Sequence, residues 1–180
     1  MGELPLQFNV ALYRLSDGSL VPLGTAHAEG IPSVAFSRDG SMLATGGGDE
    51  RVVLWDLKRR RTMRVIRDNF ILVNSVVFAP DDRTIFWGGW NHNIYAWNLN
   101  EPAQPRLLAG HSAAVNALEI APDGLSIASA SQDGTARLWR FDSNGVTPEA
   151  QSYAESITLL RAEDTISPTT GHLGIYGVAV

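Results

Sequence analysis

The 180-residue sequence contains no cysteine, no long apolar run and no excess of positive charge. Without thiols it forms neither disulfides nor a cysteine nucleophile. No apolar stretch approaches the roughly 20 residues of a membrane-spanning helix, and the first ten residues lack the basic start and apolar core of a secretion signal. We therefore expect a cytoplasmic protein. The formal net charge of -5 argues against general binding of a phosphate backbone but leaves room for a local basic patch.

The sequence does contain a repeat, set in a composition typical of globular proteins, with 44% hydrophobic and 18% charged residues. Trp55, Trp97 and Trp139 stand 42 residues apart in similar apolar segments. A period of about 40 to 45 residues is typical of one four-stranded β-propeller blade. The same offset of 42 residues relates four further sets of equivalent positions, called columns below. They are Asp39, Asp81 and Asp123; Phe36, Phe78 and Ile120; Val34, Val76 and Leu118; and His27, Asn69 and His111.

The pattern of each unit predicts short strands separated by turn residues. We label these strands a to d, from the innermost strand of the blade to the outermost. In the first unit PSVAF, MLATGG and VVLWDL alternate with the turn segments SRDG and GDE. Strand c is apolar on both sides, at Val52, Leu54 and Trp55, which is typical of a sheet covered on both faces. The predicted fold class is all-β, with β-propeller blades of four antiparallel strands in an incomplete ring.

The period also predicts where units begin and end. Ser156 to Arg161 is the candidate outer strand of a third blade with a long outer loop, and Gly171-His172 repeats the Gly110-His111 that opens that blade. The predicted segments are the second half of a preceding blade at 1-26, blades at 27-68, 69-110 and 111-170, and the first strand of a following blade at 171-180.

Three full blades are fewer than the roughly four to eight of a closed ring. The stacking faces at both ends of such a fragment would be exposed apolar patches, which soluble monomers seldom tolerate. Three interpretations stay open: the sequence is a segment of a longer protein, copies of it associate through their open blade faces, or it is a gene fragment.

Three dipeptides recur in a fixed order: Gly110-His111 opens a unit, Asp133-Gly134 lies at a turn and Trp55-Asp56 closes a unit. In this the sequence resembles the Trp-Asp (WD) repeat family of β-propellers, over about residues 8-141. The resemblance implies a hydrogen-bonded tetrad in each of two units, formed by His27, Thr45, Asp49 and Trp55 and by His111, Ser129, Asp133 and Trp139.

The middle unit departs from this pattern in three columns at once. It has Asn69 at the histidine position, Trp87 at the hydroxyl position and Asn91 at the aspartate position. A tetrad cannot form from these side chains. We expect the Trp87 ring to fill the space by packing and the two asparagines to cap local turns.

The histidines do not indicate catalysis. His27, His111 and His172 open units, where a structural hydrogen bond is expected, and His92 lies on a b-to-c turn without a cluster of metal-ligand spacing. We expect no enzymatic activity, no metal and no cofactor.

The resemblance also implies a docking surface, because in WD propellers the face bearing the b-to-c and d-to-a loops commonly binds partners. Trp90 stands where the other units have Gly48 and Gln132, and it either anchors a partner or packs on Trp87. The candidate partner-binding residues on this face are Asp49, Glu50, Arg51, Trp90, Asn91, His92, Asn93, Gln132, Asp133 and Gly134.

A second candidate surface is basic. Between residues 58 and 67 the sequence gathers six of its fourteen basic residues, at the c-to-d turn and outer edge of the first unit. Such an edge either resists aggregation by its charge or binds an acidic partner or nucleic acid. These residues are Lys58, Arg59, Arg60, Arg61, Arg64 and Arg67.

The leading hypothesis is a non-catalytic scaffold for protein-protein interaction, within a larger regulatory or signalling protein. One alternative is binding of an acidic partner or nucleic acid through the basic edge, and another is a non-catalytic part of a multidomain enzyme. A protein is the expected partner, ahead of nucleic acid, and no membrane is expected. A propeller fold does not specify which protein that is.

Overall fold

The computed structural model describes residues 8-67, 72-101, 105-141 and 155-157, and every regular element in these ranges is a β-strand. No described segment is a helix with the length and apolar character needed to cross a bilayer. The strands are β1 Phe8–Tyr13, β2 Leu20–His27, β3 Ser33–Phe36, β4 Met42–Gly46, β5 Arg51–Asp56, β6 Arg61–Arg67, β7 Val73–Phe78, β8 Thr84–Gly89, β9 Ile94–Asn98, β10 Arg106–Leu108, β11 Val115–Ile120, β12 Ser126–Ser131, β13 Ala136–Arg140 and β14 Glu155–Ile157.

The strands form one two-stranded sheet and three four-stranded antiparallel sheets. We name β1-β2 the N-terminal sheet, β3 to β6 blade 1, β7 to β10 blade 2 and β11 to β14 blade 3. Within each blade every strand pairs with the next one in sequence. This open, all-β arrangement of four-stranded sheets confirms the predicted fold class of a partial β-propeller.

The predicted outer strand at Ser156 to Arg161 overlaps β14, which pairs with β13 and begins one residue earlier, at Glu155. Residues 158-161 and the predicted strand at 171-180 lie outside the described residues, and so does His172.

The hydrophobic core lies between the sheets, in three clusters. Strand β5 contributes to two of them because its side chains alternate between the two faces of blade 1. Val53 and Trp55 pack with Val10 and Leu23 of the N-terminal sheet. Val52 and Leu54 pack on blade 2 in the second cluster. The third lies between blades 2 and 3. Strand c is therefore apolar on both sides because neighbouring sheets bury both of its faces.

Polar contacts repeat between the inner strands of successive blades. Ser33 Oγ accepts a hydrogen bond from the amide of Val76 at 3.0 Å, and Ser75 Oγ accepts one from the amide of Leu118 at 3.0 Å. The Asp82 carboxylate accepts from the amides at residues 38 and 39. These bonds fix the register between blades, whereas the apolar clusters alone would permit sliding.

Blade 2 has an aromatic stack at the place where tetrads are predicted in the other two blades. Trp87 is fully buried and stacks on Tyr95, with ring centroids 5.5 Å apart. Asn91 Nδ2 donates to the Tyr95 hydroxyl at 2.6 Å, and Asn91 Oδ1 accepts from the amide of Asn93 within the turn. Asn69 lies outside the described residues. Among the described residues, the buried indole nitrogens of Trp87 and Trp97 have no acceptor, so the described part of this blade depends on packing.

The stack predicts the result of removing its largest ring. Trp87→Ser should lower the free energy of unfolding by about 3 to 5 kcal/mol, because a buried indole leaves a cavity that the rigid neighbouring sheets cannot close. Chemical denaturation followed by circular dichroism measures the change. The exposed Trp90→Ser should change it little, and an unaltered melting temperature in Trp87→Ser would contradict the packing role.

Candidate interaction surface

The tetrad of blade 3 is a continuous hydrogen-bonded chain. Trp139 Nε1 donates to Ser129 Oγ at 2.8 Å. The same oxygen lies 2.7 Å from His111 Nε2. His111 Nδ1 in turn lies 2.8 Å from Asp133 Oδ2. These atoms come from β12, β13, the turn between them and the segment entering the blade.

The charge states of Asp133 and His111 determine which atom donates in each hydrogen bond of this tetrad. Burial acts to raise the pKa of Asp133, but hydrogen bonds from Thr135 and from the Ser112 amide outweigh it and hold the pKa below its ordinary value. Burial lowers the pKa of His111, since the charged ring would lose its hydration. Asp133 is therefore an anion and His111 a neutral ring, with its proton on Nδ1. Nε2 then accepts from the Ser129 hydroxyl.

Blade 1 repeats the arrangement with Thr45 as the hydroxyl residue. Trp55 Nε1 donates to Thr45 Oγ1 at 3.0 Å, and His27 Nε2 lies 2.7 Å from that oxygen. His27 Nδ1 lies 2.9 Å from Asp49 Oδ1. Because two blades carry the same buried hydrogen-bonded network, the network has a structural role, and a serine hydrolase site is not indicated.

Gly47 is required by the close approach of this pair. A Cβ at residue 47 would lie 2.2 Å from His27 Nδ1 and 2.3 Å from Asp49 Oδ1. The sequence shows a run of three glycines here, but only the positions of His27 and Asp49 reveal why residue 47 must be one of them.

The tetrads hold the turn face, which we define as the b-to-c turns at 47-51, 89-93 and 131-135 and the described segments entering blades 1 and 3. The aspartates accept from the amides of residues 28 and 112 as well as from the histidines. Backbone bonds add to this in every blade, from Gly48 to Gly30, Trp90 to Leu72 and Gln132 to Ala114. The turns are thus anchored on both sides.

The predicted binding residues differ in their accessibility on this face. The ring of Trp90 does not pack away under the surface, since the residue is 61% exposed. Glu50, His92, Gln132 and Gly134 are also exposed. The remaining candidates are at least partly buried and are held in the turns, namely Asp49, Arg51, Asn91, Asn93 and Asp133. Arg51 Nε lies 3.6 Å from Asp49 Oδ2, and its guanidinium donates to the carbonyl of Ala26.

Equivalent positions of the three turns share a left-handed backbone. The φ angles are 65° at Glu50, 71° at His92 and 80° at Gly134. A residue with a Cβ is disfavoured there by about 1 kcal/mol or more, which glycine avoids. Blades 1 and 2 therefore keep a charged and an aromatic side chain at a cost in stability, and both side chains point to solvent.

The basic edge consists of the c-to-d turn and the whole of β6. Arg59 is engaged by Asp56, whose carboxylate accepts from its amide and its guanidinium at 2.8 Å each. These bonds from Arg59 hold the pKa of Asp56 below its ordinary value. The guanidinium carbon of Arg64 lies 4.7 Å from the ring centroid of Trp97. Within the described ranges, Lys58, Arg60, Arg61, Arg64 and Arg67 form no salt bridge.

No group of three or more potential metal ligands occurs among the residues that the structure describes. The side chains that sequence reasoning missed are Ser33, Ser75, Asp82, Tyr95 and Thr135. Ser33 and Ser75 stand one period apart, so the repeat itself contained the signal.

Gly47 offers a test of the tetrad of blade 1. Gly47→Ala should lower the free energy of unfolding by about 2 kcal/mol or more, because its methyl group would separate His27 from Asp49 and break a buried network. Gly30→Ala is the matched control, since a Cβ there meets nothing within 4 Å. Urea denaturation compares the two variants, and equal stability would contradict the assigned contact.

Comparison with known proteins agrees with this geometry. The family model described as "WD domain, G-beta repeat" matches residues 20-56 and 103-140, which are the two stretches that carry the tetrads. Each stretch also includes the outer strand of the preceding sheet, so the sequence repeat links neighbouring blades.

Among curated proteins, transducin beta-like protein 3 of Rattus norvegicus is 31% identical over 58 residues. The match covers 32% of this chain and 7% of the rat protein. Repeat period, blade architecture, paired tetrads and family model agree that the chain carries WD repeats at residues 20-56 and 103-140.

Proposed function

We propose that the chain is a non-catalytic scaffold that binds a protein partner through its turn face. The observation that carries this proposal is the exposed indole of Trp90, on a turn anchored by the backbone of blade 2. Tryptophan is enriched in binding hot spots because its ring buries a large area at a low cost in conformational entropy. WD repeats generally mediate protein-protein interaction, which supports the same reading.

The surroundings of Trp90 favour binding over catalysis. Its neighbours in the turn, Asn91 and Asn93, are engaged with each other and with Tyr95. The histidine-carboxylate pairs of the described residues are buried in the tetrads, where they hold turns in place. A preformed turn with a protruding ring binds without a large ordering cost. We further propose that the chain acts within a larger regulatory or signalling protein.

The role of Trp90 is tested by capture of binding proteins from a cell extract on immobilised chain. Trp90→Gln should lose the specifically captured proteins, because the anchor is replaced by a small polar group. Leu125→Gln is the matched control: Leu125 is 57% exposed but lies on the a-to-b turn, at the other end of the strands. Both variants should melt like the parent. If Trp90→Gln and Leu125→Gln capture the same proteins as the parent, the turn face is not the docking surface.

A second proposed function is the binding of an acidic partner or nucleic acid at the basic edge. The specific observation is that five of its six cations form no salt bridge among the described residues, in a chain whose formal net charge is -5. Charged side chains protect an edge strand from aggregation, and a short edge strand serves the same end. Strands β10 and β14 have three residues each, whereas β6 has seven.

Charge reversal tests the edge directly. The variant with Arg59, Arg60 and Arg61 replaced by Glu should elute from a heparin column at distinctly lower salt than the parent, because retention depends on local cations. A control reverses three exposed arginines elsewhere, Arg38, Arg83 and Arg140. Equal shifts in the two variants would show that only overall charge matters, and this would reject the edge as a site.

A further inference from the structure

The register of β5 and β6 brings two arginines of the basic edge to one side of blade 1. Arg61 lies opposite Asp56 and Arg64 lies opposite Leu54, with an irregularity that leaves Met63 without a partner on β5. Side chains directly opposite each other share a face of the sheet. Because of the bulge at Met63, Arg61 and Arg64 lie on the same face although they are three residues apart.

That face is directed towards blade 2. Leu54 belongs to the apolar cluster shared by blades 1 and 2, and Ile66 of β6 packs against the same cluster. Arg64 contacts blade 2 itself, over the ring of Trp97. Arg67 lies opposite Arg51 of β5. Arg51 and Trp55 are on the same face of β5, and Trp55 packs on the N-terminal sheet, so Arg67 faces that sheet.

Blade 2 supplies an apolar wall opposite these arginines. Trp97 and Tyr95 of β9 pack against the cluster shared with blade 1. Leu107 of β10 is paired with Tyr95 and therefore lies on the same face. Leu107 is 44% exposed, so part of this wall is open to solvent. We call the two facing sides, with Arg61 and Arg64 on blade 1 and Trp97 and Leu107 on blade 2, the blade 1-2 groove.

The cations of the groove have no carboxylate partner within 4.0 Å in the described part of the chain. Asp56, opposite Arg61, already accepts two hydrogen bonds from Arg59. The Trp97 ring holds the Arg64 guanidinium in place, which reduces the entropy lost when that group pairs with an anion. The groove thus combines preoriented positive charge with an apolar wall.

We propose that the blade 1-2 groove binds an acidic peptide segment that also carries aliphatic side chains. Carboxylates would pair with Arg61 and Arg64, and an aliphatic side chain would pack on Leu107. This inference rests on the second proposed function and names its partner. A nucleic acid fits less well, because its affinity rises with the number of phosphates contacted and single strands need exposed rings for base stacking. The groove has two cations, and Arg64 covers the ring of Trp97.

The test measures binding of fluorescein-labelled synthetic probes to the full chain by fluorescence anisotropy. The first probe is a ten-residue peptide of alternating glutamate and leucine. The second is the same peptide with glutamine in place of glutamate, the third is decaglutamate, and the fourth is a single-stranded deoxyoligonucleotide of ten thymidines. The proposal requires the first probe to bind most tightly, because it alone offers both carboxylates and aliphatic side chains.

Two matched variants locate the site. Arg64→Gln should weaken binding of the first probe about tenfold, a typical effect of losing one well-placed charge pair, whereas Arg67→Gln on the other face of the same strand should change it less than about twofold. Leu107→Ser should weaken the first probe and leave decaglutamate unchanged. Thermal melting by circular dichroism checks that each variant remains folded.

Four results would overturn the proposal. Equal binding of the first probe, decaglutamate and the oligonucleotide would show a general polyanion surface, and preference for the oligonucleotide would indicate nucleic acid. Equal loss in Arg64→Gln and Arg67→Gln would show that the groove is not the site. Heparin retention that depends on Arg59 to Arg61, combined with no binding of the first probe, would reject the groove but retain the basic edge.

Discussion

The structure depends on the face-to-face packing of its sheets. Each cluster of the core lies between two sheets, and blades 1 and 2 each contribute to two clusters. An isolated four-stranded sheet would expose these faces, so a blade gains most of its stability from its neighbours. The polar contacts between inner strands, such as Ser75 to Leu118, join sheets that packing has already brought together.

In blade 2, aromatic packing takes the place of the buried hydrogen-bonded network found in blades 1 and 3. Its stack of Trp87 on Tyr95 stands where the other blades have a tetrad, and two of its indole nitrogens have no acceptor in the described part of the chain. Each unsatisfied buried donor costs about 1 to 3 kcal/mol, which the burial of two large rings offsets. The same blade presents Trp90 on the turn face and Trp97 in the groove. The least typical unit of the repeat therefore contributes a tryptophan to each of the two candidate binding surfaces.

The sequence predicts the fold because a constant period fixes the position of each residue within its blade, and the resemblance to the WD-repeat family implies the tetrads. Residues at multiples of 42 occupy equivalent places, so the partners that the resemblance implies for one unit, His27, Thr45, Asp49 and Trp55, also identify those of the unit that opens at His111. Contacts between columns carry no such signal, which is why Tyr95 as the partner of Asn91 was not predicted. If the side chains of β6 alternated strictly between its two faces, Arg61 and Arg64 would lie on opposite faces. Only the bulge at Met63, a feature of strand pairing, brings them to one face.

The two proposed surfaces lie at different places on blade 1 and blade 2, and their separation bears on the role of a scaffold. The b-to-c turn precedes β5 and the c-to-d turn follows it, so the turn face and the basic turn are separated by the length of a six-residue strand, about 20 Å. Charges at this distance are largely screened from each other at physiological salt. A partner anchored on Trp90 would therefore leave the electrostatics of the basic turn largely unaltered. Two partners of different charge could then occupy the chain at once, held at a distance that rigid sheets determine.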